Sequence, residues 1–575
     1  MQLLLNLLLL TTLFQLRACL HASSEAPEVT LPKLGSLRGS TTVSAFSRRT
    51  ILQFLSIRYG ETTAGEFRFK APRKALPWSG FRNVSQFGTP CPQQMMLLLF
   101  PKKQFVSDVE DCLTLSVYTG DLSAKTPVMV FLQGRTTGGS SSKQTPEFLL
   151  EKNIVLVVVQ YRFGPFGFLS LKTETMPGNV GLLDIKLALE WIRDNIAEFG
   201  GDCENVTLFG QSAGAAAISA LMYSPQIPDN LFHKVILQSG ASSSPWVWDK
   251  DPVGNALKIA VSAGCSDRSE QSEEVSENLR KIEHCLREMD VWHLMRSFID
   301  HKMQTTRAKG LSEVGGNRFI VGDFHGFLPR TPWDQIRGGN IRRNLPMMAG
   351  VVKHEGTFLL TTIYDSLKSP GLLDSSNFIK IGLLDRVNRI LGIDDPTGTL
   401  LGYQIRSLFS SAQVDNGTFE VLVDGLIDLI GTALIKAPVF REVQVNGLVN
   451  PNRTFLYSFD YRGKQTRFGY GADTSHYPFT GGVHHSDDLL YLFPFPPGEP
   501  SLIGKDREMA QLMVDLWTSF AAVGIPTSIR STVDWKPMSD YAGPYLHIDE
   551  QSRLGTNFYE EFSIASDESR KPPEA

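Results

Sequence analysis

Charge of one sign is what this 575-residue chain has least of: 56 Lys and Arg against 60 Asp and Glu leave a net charge of −4. That balance offers neither a basic stripe for nucleic acid nor a cationic face for an anionic bilayer, so neither is expected as a partner. Past the first twenty residues there is no apolar run long enough to span a membrane. Cysteines number only six, too few for a disulfide-dense scaffold and without the ligand spacing of a zinc site, so no metal or other cofactor is expected. Internal repeats and low-complexity blocks are missing as well, which argues against a solenoid or a disordered tether.

What the composition does supply is core. Hydrophobic residues make up 42% of the chain and charged ones 20%, the balance of a folded globular protein. The length exceeds the size at which single cores usually stop growing, although a large sheet with helical insertions can form one unit. Residues 3–16 are Leu-rich and apolar, short for a membrane span, and are followed by Ala18-Cys19-Leu20-His21-Ala22. They read as a signal peptide removed near Ala22, with an uncleaved anchor as the alternative. The expected organisation is a signal peptide over 1–22, one large domain over 23–565 and a polar tail over 566–575 that lacks the apolar segment of a lipid anchor.

With Cys19 gone, Cys91 with Cys112 and Cys265 with Cys285 are plausible local pairs, leaving Cys203 over. In an oxidising compartment each closed loop would stabilise the fold by roughly 3 kcal/mol. Sequons at Asn83, Asn205, Asn416 and Asn452 fit the same route. The mature chain is expected outside the cell, without a transmembrane anchor.

Two continuous apolar runs rich in β-branched residues, Thr126–Gln133 and Asn153–Tyr161, have the character of buried central strands. Between Gly178 and Phe199 the apolar residues recur at helical spacing, and Gly200-Gly201 stops the pattern. A strand over Asn205–Phe209, a small-residue helix from Ala213 and a strand at Lys234–Leu237 follow. This alternation predicts an α/β fold with a mainly parallel sheet. The stretch from Asp249 to Arg343 reads as helical excursions, and Leu345–Val352 and Thr454–Asp460 as later strands. Phe493–Pro500 is Pro-rich and reads as a rigid surface loop.

Gly210-Gln211-Ser212-Ala213-Gly214 stands between a predicted strand and a predicted helix, the setting that makes G-x-S-x-G a nucleophile elbow. The turn is tight enough to require the flanking glycines, and it lifts the serine Oγ above the sheet. The Ala213 N–H at the helix start is then aimed at charge developing on a substrate oxygen. A serine hydroxyl needs a base to take its proton, and the base needs a carboxylate to fix its tautomer. The residues alone leave the base open among His233, His284, His293, His301, His325, His354, His476, His484, His485 and His547.

The chain resembles the type-B carboxylesterase and cholinesterase family over nearly all of its mature length. The matching segments are Thr63–Pro72, Glu110-Asp-Cys-Leu-Thr-Leu115, Asn179-Val-Gly-Leu-Leu-Asp184, Phe199-Gly-Gly-Asp202 and the elbow itself. The resemblance implies an α/β-hydrolase fold, with a large, mostly parallel central sheet flanked by helices and carrying helical insertions. It places the acid at Glu355, in Gly350-Val-Val-Lys-His-Glu-Gly356, and the base at His485, in Gly482-Val-His-His-Ser-Asp-Asp-Leu489, selecting His485 over His484. It also implies the pairs Cys91–Cys112 and Cys265–Cys285, and Trp246 in the acyl pocket.

Two departures bear on function. Where the family has a His-Gly-Gly-Gly-Phe type segment whose N–H groups complete the oxyanion hole, this chain reads Gln133-Gly134-Arg135-Thr136-Thr137. The Cys91–Cys112 loop has no tryptophan to hold a quaternary ammonium and carries Met95, Met96, Leu97, Leu98, Leu99 and Phe100 instead. An acetylcholine-like substrate is disfavoured, and a small apolar ester is the expected partner. Gln211, where Glu is common, is similar to juvenile-hormone esterases. Two readings follow: an ester hydrolase using Ser212, Glu355 and His485, slowed by its altered oxyanion segment, or a catalytically impaired extracellular binding or adhesion protein on the same fold.

Overall fold

A computed structural model describes residues 26–94, 108–134, 141–266, 275–339, 341–392, 409–471, 473–495 and 502–558. The expected signal peptide and polar tail, the Met95–Phe100 run, Arg135 and Thr136, and most of the Pro-rich loop lie outside these residues. In chain order the strands are β1 (Glu28–Leu31), β2 (Gly35–Arg38), β3 (Ser40–Val43), β4 (Thr50–Arg58), β5 (Phe81–Asn83), β6 (Thr114–Thr119) and β7 (Thr126–Leu132). They continue with β8 (Val155–Val159), β9 (Gly201–Gln211), β10 (Lys234–Gln238), β11 (Met347–Val352), β12 (Thr454–Phe459), β13 (Tyr545–Ile548) and β14 (Arg553–Gly555).

Strands β1, β2 and β5 form a small separate sheet, and the other eleven form one sheet in the order β14-β13-β12-β11-β10-β9-β7-β8-β6-β4-β3. From β8 across to β13 every neighbouring pair is parallel, and antiparallel pairs close both edges. The chain is thus α/β with a large mixed, mostly parallel sheet, consistent with the α/β-hydrolase fold.

The central strands are buried on both faces because alternate residues serve opposite sides of the pleat. In β7, Val128, Val130 and Leu132 pack into one core with Val157, Leu208 and Leu237. Met129 and Phe131 face the other core with Phe209, Ile236 and Met348. The first core is covered by α1 (Val180–Asn195) and α2 (Ala213–Met222), the second by α9 (Gly504–Val523).

The stretch after β10 is helical, as expected: α3 (Pro252–Ser262), α4 (Val275–Glu288) and α5 (Val291–Lys309). Further helices are α6 (Thr357–Lys368), α7 (Phe419–Gly431) and α8 (Ala437–Val449). Cys91 is bonded to Cys112 and Cys265 to Cys285, while Cys203 is free and half-buried. Among the described residues no helix is long and apolar enough to cross a membrane, and no His, Cys, Asp and Glu group could hold a metal ion.

The sheet order places β8 on one side of β7 and β9 on the other. Chain connections therefore leave β7 and its neighbour in opposite directions, which opens a crevice at the carboxyl ends of these strands.

Candidate active site

Four of these strand ends or the loops beyond them converge. Gln133 and Gly134 follow β7, Ser212 follows β9, Glu355 lies just past β11, and His485 sits in the loop between β12 and α9. At Ser212 the backbone has φ 57° and ψ −122°, a conformation that a non-glycine residue holds only when its surroundings impose it. The surroundings do so from two sides. The Ser212 N–H donates to the Gln238 carbonyl at 2.8 Å, and the Ser212 carbonyl accepts from Ala216 N–H at 2.9 Å. Gly214 has no room for a Cβ, which would collide with the Leu132 carbonyl, so the small-residue helix α2 can lie directly on β7. Ser212 and Ala213 are half-buried, and Ala213 is the first residue of α2.

Glu355 is fully buried. Its Oε1 accepts the Val352 N–H at 2.9 Å and its Oε2 lies 2.5 Å from His485 Nδ1. The pairing is built by the backbone. His354 and His484 form an isolated parallel β-bridge beyond β11, with His354 N–H donating to the Val483 carbonyl at 3.1 Å. The residues one step further on, Glu355 and His485, are then side by side. The Phe358 ring lies 4.8 Å from the His485 ring, tilted by 32°.

His484 faces elsewhere. Burial, and then the neighbouring His485, push its imidazole down to about 3, so it is neutral. It packs edge-on against Phe468 with centroids 5.7 Å apart. Behind the site Asp488 is fully buried, accepting from Gln238 Nε2 at 2.7 Å, and Gln238 Oε1 accepts from Trp517 Nε1 at 3.1 Å. Burial raises the Asp488 carboxyl to about 6.

Beside Ala213 lies a cavity walled largely by the rings of Tyr161, Phe163, Phe168, Trp246 and Phe319. Trp246 is half-buried and donates from Nε1 to the Leu434 carbonyl at 3.0 Å. It thus lines the cavity and packs into the fold at once. Arg318 also lines this cavity. Its guanidinium donates to the Leu311 carbonyl, and burial lowers it to about 10 against the pull of Asp249 and Glu313.

Of the residues singled out from sequence, the structure brings Glu355 and His485 into contact and lines one cavity with Ala213 and Trp246, while the Nε2 of His485 meets Gln211 rather than Ser212. Gly134 sits against the elbow, where a Cβ would collide with the Gln211 carbonyl. The Tyr161 hydroxyl fixes the preceding carbonyl of Gln133 at 2.8 Å. Sequence reasoning missed the contacts of Gln211, Phe358 and Phe319. Gln211 was visible in the elbow as an unusual residue, but nothing in the sequence gave it a partner. Phe319 belongs to the excursion after β10, where helical periodicity carries no information on which loop returns to the sheet.

The four sequons differ. Asn83, Asn416 and Asn452 are exposed. Asn205 is half-buried: its Nδ2 donates to the Ala522 carbonyl at 3.1 Å and its Oδ1 accepts from Lys234 Nζ.

Comparison with known proteins places the chain in a family. Residues 25–564 match the model of the carboxylesterase family. Glutactin of Drosophila melanogaster is 32% identical over 540 residues, 93% of this chain but 51% of glutactin, so the chain spans about half of that relative. Juvenile hormone esterase of Tribolium castaneum is 30% identical over 528 residues, covering 88% of this chain and 85% of the esterase. Carboxylesterase 3 of Homo sapiens is 29% identical over 576 residues, 95% and 92% of the two chains. With a family match across nearly the whole chain and a mostly parallel sheet carrying a serine elbow, this protein belongs to the carboxylesterase family.

Proposed function

We propose that the chain is a secreted serine hydrolase that cleaves carboxylic esters through an acyl intermediate on Ser212. The observation that carries the reading is the 2.5 Å contact between Glu355 Oε2 and His485 Nδ1, buried beside the elbow. A carboxylate accepting from Nδ1–H leaves the Nε2 lone pair as the base, the arrangement that serine activation needs.

Ser212 Oγ attacks the ester carbonyl while His485 Nε2 takes its proton, and the oxygen that becomes negative is met by the Ala213 N–H. Collapse breaks the bond to the alcohol, which leaves with the proton from His485. Water then adds to the acyl-serine, again losing a proton to Nε2, and the carboxylic acid departs as Ser212 recovers its hydrogen. The cavity beside Ala213 is walled largely by aromatic rings, Tyr161, Phe163, Phe168, Trp246 and Phe319. It supports an apolar acyl group lodged next to the Ala213 N–H. The two disulfides support an oxidising, extracytoplasmic setting.

A second reading, a catalytically impaired extracellular binding protein, is favoured by Arg135 and Thr136, which replace glycines expected to supply oxyanion donors. Losing one such donor costs about 10²–10³ in rate. Labelling by a fluorophosphonate probe separates the two. The enzyme is expected to be labelled, and Ser212→Ala is not; a folded wild-type protein that stays unlabelled supports the binding reading.

A further inference from the structure

Gln211 is 97% buried, and its side-chain Nε2 lies 3.0 Å from His485 Nε2. We infer that Gln211 is a positioning residue for the base, its amide occupying the same lone pair of His485 that must receive the Ser212 proton. The inference rests on the proposed hydrolase reading for its kinetic consequences, but not for the contact itself.

Glu355 Oε2 accepts at Nδ1, so the Nδ1–H tautomer is held and Nε2 presents a lone pair rather than a hydrogen. Only a donor satisfies that lone pair, so the amide nitrogen of Gln211 must face it, and the amide oxygen must point away. The space on the far side is left by Gly134, whose missing Cβ would sit 3.1 Å from Gln211 Oε1. The amide is therefore wedged between the strand end that precedes the oxyanion segment and the base.

Two donors on neighbouring residues compete for one acceptor. While Gln211 holds Nε2, the neutral imidazole is stabilised. When Ser212 transfers its proton, Nε2 becomes a donor that the amide nitrogen can no longer serve. A glutamine can follow this change, because turning the amide end for end replaces its donor by its acceptor. A glutamate at 211 could serve only the protonated ring, and it would put a second carboxylate on His485 beside Glu355. A methionine of similar length could serve neither form. The residue type at 211 therefore sets the pH at which the base becomes available.

The test is the acid limb of kcat/KM on a p-nitrophenyl ester, which reports ionisation of the base in the free enzyme. Gln211→Glu is expected to move the limb up by about one pH unit or more, the shift produced by a nearby opposite charge. Gln211→Met should move it up by less, because it removes the donor that favours the neutral ring. A merely structural role would lower kcat/KM at all pH values without moving the limb. The second measurement needs no turnover: histidine Cε1–H resonances are followed against pH in wild type and Gln211→Glu, with His485 assigned by its loss in His485→Ala. A higher His485 titration point in Gln211→Glu supports the contact even if the protein hydrolyses nothing, in which case only the hydrolase reading falls. Unchanged His485 titration in a folded Gln211→Glu variant overturns the inference.

Discussion

His354 and His484 are joined across a single parallel β-bridge, and neither imidazole is the one that meets Glu355. Their importance lies in register. The His354 Nδ1 accepts the Val483 N–H at 2.9 Å, so one side chain and one backbone pair fix the loop that carries His485. His484→Ala keeps both contacts and removes a buried ring, which should destabilise the fold by about 2–4 kcal/mol through the cavity left behind. Its turnover per folded molecule should remain within a few-fold of wild type, whereas His485→Ala should lose most of it. His354→Ala leaves a buried N–H unpaired, at about 1–3 kcal/mol, and should cost more kcat than His484→Ala. Thermal melts paired with p-nitrophenyl acetate turnover check the order.

Two buried carboxyls predict the pH dependence of stability. Burial raises Glu442, which accepts from the Tyr223 hydroxyl at 2.5 Å, to about 7, and Asp488 to about 6. In the unfolded chain both titrate near 4. Between about pH 4 and 7 the native state thus holds protons that the unfolded state has released, so these groups make stability fall as pH rises through that window and level off above it. The melting temperature of Glu442→Gln should decline less than that of wild type between about pH 5 and 7.5. Parallel declines would show that Glu442 does not contribute.

Sequon occupancy should follow the side-chain geometry. Glycosylation attaches to Asn Nδ2, and at Asn205 that atom already donates to Ala522 in a half-buried setting. Glycopeptide mapping is expected to find Asn205 unmodified while Asn83, Asn416 and Asn452, all exposed, are available.

The central strands were legible because burial on both faces leaves unbroken runs such as Val155–Val159, and the elbow because its glycines and serine sit between two strong local patterns. The edge strands were not. Ser40–Val43 and Arg553–Gly555 are short and partly exposed, so neither alternation nor continuous apolarity marks them. The proximity of Glu355 and His485, 130 positions apart, came from resemblance alone, since no local pattern encodes a bridge between His354 and His484. Gln211 was noticed as a residue type, but its contact with His485 depends on how β7, β9 and the histidine loop meet in space.

The cavity beside Ala213 is walled mainly by large rings, Tyr161, Phe163, Phe168, Trp246 and Phe319, with Val247, Asn317 and Arg318 beside them. Such rings do not yield without repacking, because interiors are close-packed and each extra methylene must find space. Removing one wall should therefore open the cavity to a longer acyl chain. Trp246 is the wall to remove, because it is only half-buried and is anchored by one bond to the Leu434 carbonyl. Trp246→Ala should raise kcat/KM for the butyrate relative to the acetate by about 10–200-fold, the range that a pocket change of this kind gives for one or two methylenes. If the ratio does not move in a folded variant, the acyl group does not enter this cavity, and the acyl-pocket part of the proposal falls while the hydrolytic chemistry at Ser212 stands.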